Sequence, residues 1–365
     1  MPTLHDSLAL PAFTATNRIF MAPMTRMRAP EPADIPTELH REYYRQRATA
    51  GLIVTEGVQI SLEGKGYSGA PGIYTDEQVE AWRAVTDAVH AEGGRIAIQL
   101  WHVGRVTHPH VQGGTPGVSA SALPFEGRTN IKDADGNVIS VDAPTPRALR
   151  LDEIPRLLED YRHATRNARA AGFDMVEIHG ANGYLLQQFM SISTNARDDQ
   201  YGGSMENRAR LPLEVVDAVV GEWDAAHVGI RLSPMIKFVG LDDADGMEMG
   251  IYMARELADR DLGYLHLVEP DWAGGPELDD EFRTAVRDAF PGIIIAAGSY
   301  DRAKGTRVLE GGWADAIAFG RPFIANPDLP ERLAVGADLN DVDFSRVYGG
   351  DAAGYIDYPV METVR

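Results

Sequence analysis

Apolar residues in this chain fall into eight short runs, separated by longer stretches in which apolar positions recur every three or four residues. The runs cover 18–24, 52–58, 95–101, 174–180, 228–234, 264–270, 292–299 and 316–322. They are rich in Val and Ile and show little polar alternation, the pattern of strands buried on both faces. Between them, "DEQVEAWRAVTDAVHAEG" (76–93) and "LDEIPRLLEDYRHATRNARAAG" (151–172) read as amphipathic helices. The second carries Asp152 and Glu153 in its first turn and closes on Gly172, as helix ends prefer. Alternating strands and helices imply a parallel sheet covered by helices, an α/β fold. Eight such units without a topological reversal predict a (β/α)8 TIM barrel, with a doubly wound sheet as the alternative sharing the same alternation. The main interruption, 104–150, falls after the third strand. It is rich in Gly and Pro, and "IKDADGNVIS" (131–140) places Asp-Gly between alternating apolar residues, which predicts an inserted hairpin. One domain over 1–365 with that insertion is expected.

Composition narrows the chemistry. The chain has no cysteine, so disulfides, thiolate nucleophiles and iron–sulfur clusters are excluded. A net charge of −20 argues against nucleic acid and anionic membranes as partners. No apolar stretch is long enough to span a bilayer, and "MPTLHDSLALPAF" lacks the basic-then-apolar order of a signal peptide. A cytoplasmic protein is expected. Only four of the 34 basic residues are Lys, a preference that concerns the host and not the reaction.

Two motifs are decoys. "GKGYSG" (64–69) matches G-x-G-x-x-G, but Pro71 and Gly72 follow it and no helix is predicted before about Asp76. A dinucleotide cradle needs a helix N-terminus directly after the glycines, so a mobile loop is predicted instead. "DADGN" (133–137) would place Val138 and Pro144 where a calcium loop needs Gly and a carboxylate, so it reads as a turn. No metal site is expected.

In a barrel, chemistry is assembled at the C-terminal ends of the strands. Those ends carry Pro23 and Thr25; Glu56 and Gly57; Gln99, Trp101 and His102; His179, Asn182 and Tyr184; Arg231; Glu269 and Trp272; Gly298 and Ser299; Gly320 and Arg321. The last two pairs, with a helix start at "NPDLPERL", suit a phosphate. Gln99 and Arg231 could meet a heterocycle bearing N–H and C=O groups, walled by Trp101, Trp272 and Tyr67. Taken singly, each has an ordinary structural explanation: a satisfied strand-end His, a half-buried Tyr, a core Trp, an Arg in an ion pair. Jointly they do not, because polar groups gather at every strand end of one predicted face.

At this point the residues resemble a family. From "NRIFMAPMTR" to "YGGDAAGYIDYP", through "RATAGLIVTEG", "QLWHVGR", "EIHGANGYLLQQF", "YGGSMENRARLPLEVVDAV", "IRLSP", "EPDWAGG" and "AFGRPFIANPDL", the chain is similar to the old yellow enzymes. These are FMN-dependent ene-reductases, and the similarity is greatest to the bacterial N-ethylmaleimide and nitrate-ester reductases. The resemblance implies bound FMN and NADPH or NADH as reductant. It implies reduction of the C=C bond of α,β-unsaturated carbonyl and nitro compounds, with nitrate esters or nitroaromatics as a second class. It places Thr25, Gly57, Gln99 and Arg231 on the flavin ring, with Ala22, Pro23 and Gly298 beside it, and Ser299, Gly320 and Arg321 on the phosphate. Thr25, Tyr67, Trp101, His179, Asn182, Trp272 and Tyr348 would contact substrate. His179 and Asn182 would donate hydrogen bonds to the substrate oxygen, hydride would pass from flavin N5 to the β-carbon, and Tyr184 would deliver a proton to the α-carbon. Thr at 25 separates the chain from the relatives with Cys there, and the lack of cysteine separates it from the iron–sulfur branch. The segment 235–250 follows no pattern that can be carried over. Partners would be small molecules only, and the protein a monomer or homo-oligomer. Two rivals stand: a flavin-free phosphate-binding aldolase or isomerase, and a flavin carrier without turnover.

Overall fold

The computed structural model describes residues 1–125, 127–132 and 138–362. Its centre is a closed barrel of eight parallel strands. They are β1 (Ile19–Met21), β2 (Ile53–Gln59), β3 (Ile96–Trp101), β4 (Met175–Gly180), β5 (Val228–Leu232), β6 (Tyr264–Val268), β7 (Ile294–Ala297) and β8 (Ala316–Phe319). Every predicted apolar run contains one. Closure is carried by β8 on β1, with Ile317 opposite Ile19 and Phe319 opposite Met21. That pairing rules out the open, doubly wound alternative, which has two free edges.

Helices cover the barrel because their apolar stripes have nowhere else to go. In α2 (Asp76–Ala91), Val79, Trp82, Val85 and Val89 are buried at the spacing of one helical face. Its start is fixed by a capping box between Thr75 and Gln78. The second predicted helix begins with a 3₁₀ turn, Leu151–Glu153, and continues as α3 (Ile154–Ala170). Pro155 supplies no N–H in the first turn, where none is needed. The inserted hairpin forms: Arg128–Lys132 pairs antiparallel with Val138–Asp142. Its predicted turn, 133–137, lies outside the described residues.

One expectation fails. The 64–69 segment leads into no helix N-terminus, as expected, but it is packed and not loose. Gly64, Lys65 and Gly66 are buried, and Lys65 Nζ lies 2.7 Å from Asp34 Oδ1 and 2.9 Å from Glu31 Oε1. A cation drawn inward by two carboxylates ties the loop down. Among the described residues, no helix is long and apolar enough to cross a membrane.

Candidate active site

The C-terminal ends of the strands open into a cavity of about 600 Å³, within the usual size of a small-molecule site. Its floor comes from inward-facing residues of the sheet. Gly57 has no side chain there because a Cβ would lie 2.6 Å from the Trp101 ring. A register shift between Val54 and Gly57 bends β2 at that point. Gln99 and Arg231 reach the cavity from β3 and β5.

One wall is the turn after β4. Asn182 adopts φ of 55°, a left-handed conformation that Asn tolerates better than most residues, and Gly183 follows at 77°. The turn is pinned from behind. Asn182 N–H donates to Ser233 Oγ at 2.8 Å, and Gly183 N–H donates to Gln187 Oε1 at 2.9 Å. Three rings meet beside it: His179 lies 5.1 Å from Tyr184 and 6.2 Å from Trp101, and Trp101 meets Tyr184 edge-on at 4.9 Å.

The electrostatics of this wall are those of neutral donors. Burial, reinforced by the nearby Arg231 charge, holds His179 well below the usual imidazole range. Burial raises the Tyr184 phenol well above its usual value. Arg231 is brought down to about 10 by burial, opposed by Glu177, and stays cationic at neutral pH. Several buried polar atoms here have no protein partner: His179 Nδ1, Asn182 Oδ1, Arg231 Nε and Trp272 Nε1. Buried polar groups are rarely left unpaired, which makes these candidates for partnering polar groups of a ligand.

Of the residues expected to contact flavin, phosphate or substrate, all but Tyr67 line this cavity. Tyr67 stands behind the wall. Its ring stacks on Trp101 at 5.8 Å and its hydroxyl lies 3.4 Å from the Tyr184 hydroxyl, because Trp101 fills the space between Tyr67 and the floor. The phosphate end also differs in detail. The helix that starts at the mouth is Arg321–Ala325, directly after Gly320, and no lining residue comes from 326–335. At the other turn, Ser299 N–H donates to Asp271 Oδ1 at 2.9 Å. Three strand-end polar residues lie elsewhere. Glu269 is buried against Arg283 and Lys304, His102 against Glu63, and Glu56 accepts the N–H groups of Arg26 and Met27.

The lining also includes residues that strand-end reasoning did not name. Met24 was one position from Thr25. Phe238 belongs to the unreadable 235–250 segment and meets Trp272 at 5.5 Å. Phe344 and Val347 come from the C-terminal segment, beyond the last strand, where no periodicity signalled a wall. That segment is held by Arg26 and Arg28, whose guanidinium groups donate to the carbonyls of Val347, Gly354 and Asp351.

The arrangement fits an isoalloxazine bearing one phosphate. It offers an amide and a cation on the floor, unpartnered donors and acceptors on one side, and an open Gly320–Arg321 turn at the end. A Cβ at Gly320 would meet nothing closer than Met24 at 3.6 Å. Comparison with known proteins points the same way. Residues 4–340 match the NADH:flavin oxidoreductase / NADH oxidase family. 12-Oxophytodienoate reductase 1 of Oryza sativa subsp. japonica is 45% identical over 359 residues, covering 96% of this chain and 90% of that protein. Morphinone reductase superposes with a TM-score of 0.97 at 50% identity, over 99% of this chain and 97% of its own, and has also been solved with tetrahydroNAD. The old yellow enzyme homologue of Zymomonas mobilis gives 0.94 at 43% identity, over 99% of this chain and 100% of its own.

Proposed function

The chain belongs to the NADH:flavin oxidoreductase / NADH oxidase family, among the old yellow enzymes, and on that premise we propose how its residues divide the work. It is an FMN-dependent NAD(P)H oxidoreductase that reduces activated C=C bonds. Bound FMN would supply the hydride chemistry that links nicotinamide oxidation to alkene reduction. Thr25, Gly57, Gln99 and Arg231 hold the ring, with Ala22, Pro23 and Gly298 beside it. Ser299, Gly320 and Arg321 take the phosphate, which needs Asp271 to yield the Ser299 N–H. A fixed cation at Arg231 stabilises negative charge that develops on the ring.

His179 and Asn182 bind the carbonyl or nitro oxygen of the substrate. Both are neutral, and the unpaired His179 Nδ1 leaves the imidazole free to present the N–H that the bound oxygen needs. Drawing electron density onto that oxygen makes the β-carbon electrophilic. Tyr184 then gives its proton to the α-carbon. Its raised pKa keeps the phenol protonated across the working pH range, so no charge relay is required. Trp101, Trp272 and Tyr348 wall the substrate, and Tyr67 acts through its contact with Tyr184. The observation that carries this reading is the gathering of the neutral His179 and Asn182, the protonated Tyr184 phenol and the Arg231 cation around one cavity.

A Schiff-base aldolase is disfavoured because no Lys is among the lining residues. We further assign residues 1–365 to one FMN-binding unit with 104–150 as its insertion. It is a cytoplasmic monomer or homo-oligomer, with nitrate esters or nitroaromatics as additional substrates and no nucleic-acid partner. Anaerobic titration tests the reading. Purified protein should be yellow and release FMN on denaturation, bleach with NADH or NADPH, and recover colour with a cyclic enone. Colourless protein that takes up no FMN would refute it.

A further inference from the structure

Glu177 does not line the cavity. It stands two residues before His179 on β4, so its side chain points the same way, one layer deeper in the barrel. It is fully buried. Its Oε1 accepts from Gln99 Nε2 at 2.8 Å, and its Oε2 lies 2.7 Å from His266 Nδ1. Gly229, opposite Glu177 on β5, leaves its place to the Tyr264 ring, which a Cβ there would strike. Arg231 sits in register between His179 and His266. Burial disfavours the anion, but His266, Arg231 and the Gln99 N–H outweigh it and hold the carboxyl below its usual value. Barrel layers are ordinarily filled by Val, Ile and Leu, and replacing a buried charged cluster by apolar residues is often neutral or stabilising. Stability therefore does not explain this layer.

An ionised carboxylate has no proton to give, so the amide beside it must present its NH₂. With one Nε2 N–H committed to Glu177, the Gln99 amide is held in one orientation, its Oε1 turned away from that carboxylate. We propose that Glu177 is a positioning residue that fixes the orientation of the Gln99 amide and offsets the Arg231 charge, thereby setting how much more tightly reduced than oxidised FMN is held. The inference rests on the flavin reading above and deepens it.

The test is the midpoint potential of bound FMN, by dye equilibration under anaerobic conditions. Glu177→Gln removes the charge and frees the Gln99 amide to turn. Arg231 is then uncompensated, and the preference for reduced flavin should rise about tenfold, equivalent to a potential higher by about 30 mV for a two-electron couple. Glu177→Asp keeps the charge and should restore most of the wild-type potential. A Gln variant that binds FMN at the wild-type potential overturns the proposal, as does an Asp variant shifted as far as the Gln variant. Wild-type protein that takes up no FMN brings down the flavin reading itself, an outcome distinct from either. If neither variant folds, wild-type holoenzyme labelled with ¹³C-Glu decides. Its reduced-minus-oxidised infrared spectrum must contain an ionised carboxylate stretch that moves on reduction, and a spectrum without one overturns the assignment.

Discussion

Where the strands begin, Asp174 precedes β4 and accepts from Ile96 N–H, from Arg95 Nη1 and, across 2.8 Å, meets His90 Nε2. Asp315, before β8, repeats the device. Its carboxylate takes Ile294 N–H at 2.9 Å and Arg287 Nη2 at 2.7 Å, and its carbonyl takes Arg18 Nη1 at 2.8 Å. Each aspartate clasps the first residue of the neighbouring strand. Where the strands end, His179 Nδ1, Asn182 Oδ1, Arg231 Nε and Trp272 Nε1 have no protein partner. An unpaired buried polar atom costs about 1–3 kcal/mol. At the lower end these carboxylates are spent on closing the barrel, while the four atoms named at the upper end take no part in closing it. In barrels the two ends are expected to divide stability and chemistry in this way.

The largest effect that would sharpen this contrast is at Tyr184. Loss of a positioned general acid costs about 10²–10⁴-fold. Tyr184→Phe should therefore slow reoxidation of reduced enzyme by a cyclic enone by that much, and leave flavin bleaching by nicotinamide nearly intact. A nitroalkene, which can hold its charge as a nitronate, should still take up hydride. Stopped-flow traces in which both half-reactions slow together would make Tyr184 a structural residue.

The opposite end should answer in stability alone. Asp174→Ala strands the Ile96 N–H and leaves Arg95 and His90 without their carboxylate, so unfolding free energy should fall by about 2–3 kcal/mol. Turnover of folded protein should be unchanged. A variant with normal denaturant stability and poor turnover would erase the distinction between the ends.

Smaller again is the binding change at the upper end. His179→Ala with Asn182→Ala removes two neutral hydrogen bonds, each worth about 1 kcal/mol, so phenols that stack over oxidised flavin should bind roughly tenfold or more weakly and lose their charge-transfer band. FMN should stay bound and the thermal midpoint should not fall. Unchanged phenol titrations would remove these two residues from the oxygen site.

How much of this was legible follows from the same contrast. The eight strands were readable because a strand buried on both faces is largely apolar, and each lies inside a predicted run except β2, which extends one residue past its run. The site was readable where a polar residue interrupts such a run near its C-terminal end, as His179 and Arg231 do. Glu177 interrupts its run as plainly, two positions earlier, but it lies one layer too deep for strand-end reasoning to reach. Phe238, Phe344 and Val347 were not readable, because their places depend on long-range ties such as Arg26 to Val347. Tyr67 was misplaced because sequence shows a loop aromatic but not that Trp101 stands in front of it. The packed 64–69 loop was misjudged because Asp34 and Glu31, which hold Lys65, lie 31 and 34 residues away.

Unpartnered buried atoms are not confined to the ligand end. Glu56 Oε1, His40 Nε2, Tyr43 Oη and Tyr355 Oη are also buried without partners, yet none of these residues lines the cavity. Glu56 faces α1 (Glu38–Arg45), which carries His40 at 3.8 Å; Arg26 and Arg28 both act on Glu56, and Arg28 also on His40. Burial pushes Glu56 up from 4.5 to about 7, against the pull of the Arg26 and Met27 N–H groups and the two arginines. Burial, with the Arg28 charge, brings His40 down from 6.5 to about 3. The two shifts act in opposite senses. A raised carboxyl contributes stability that is full below 4.5 and lost as pH climbs to about 7. A depressed imidazole contributes stability that is full above 6.5 and lost as pH falls toward about 3. Between 4.5 and 6.5 they oppose each other, and the wild-type profile should be flattened there. Glu56→Gln keeps an acceptor for the two N–H groups and removes only the titration. Its stability relative to wild type should rise with pH across that window, with a slope on the order of 1 kcal/mol per pH unit. The measurement is chemical denaturation of both proteins at three pH values spanning the window, with enone turnover measured alongside. A stability difference that does not change with pH would mean that Glu56 is ionised in the folded protein. A change in turnover with no change in slope would move this cluster into the ligand end after all.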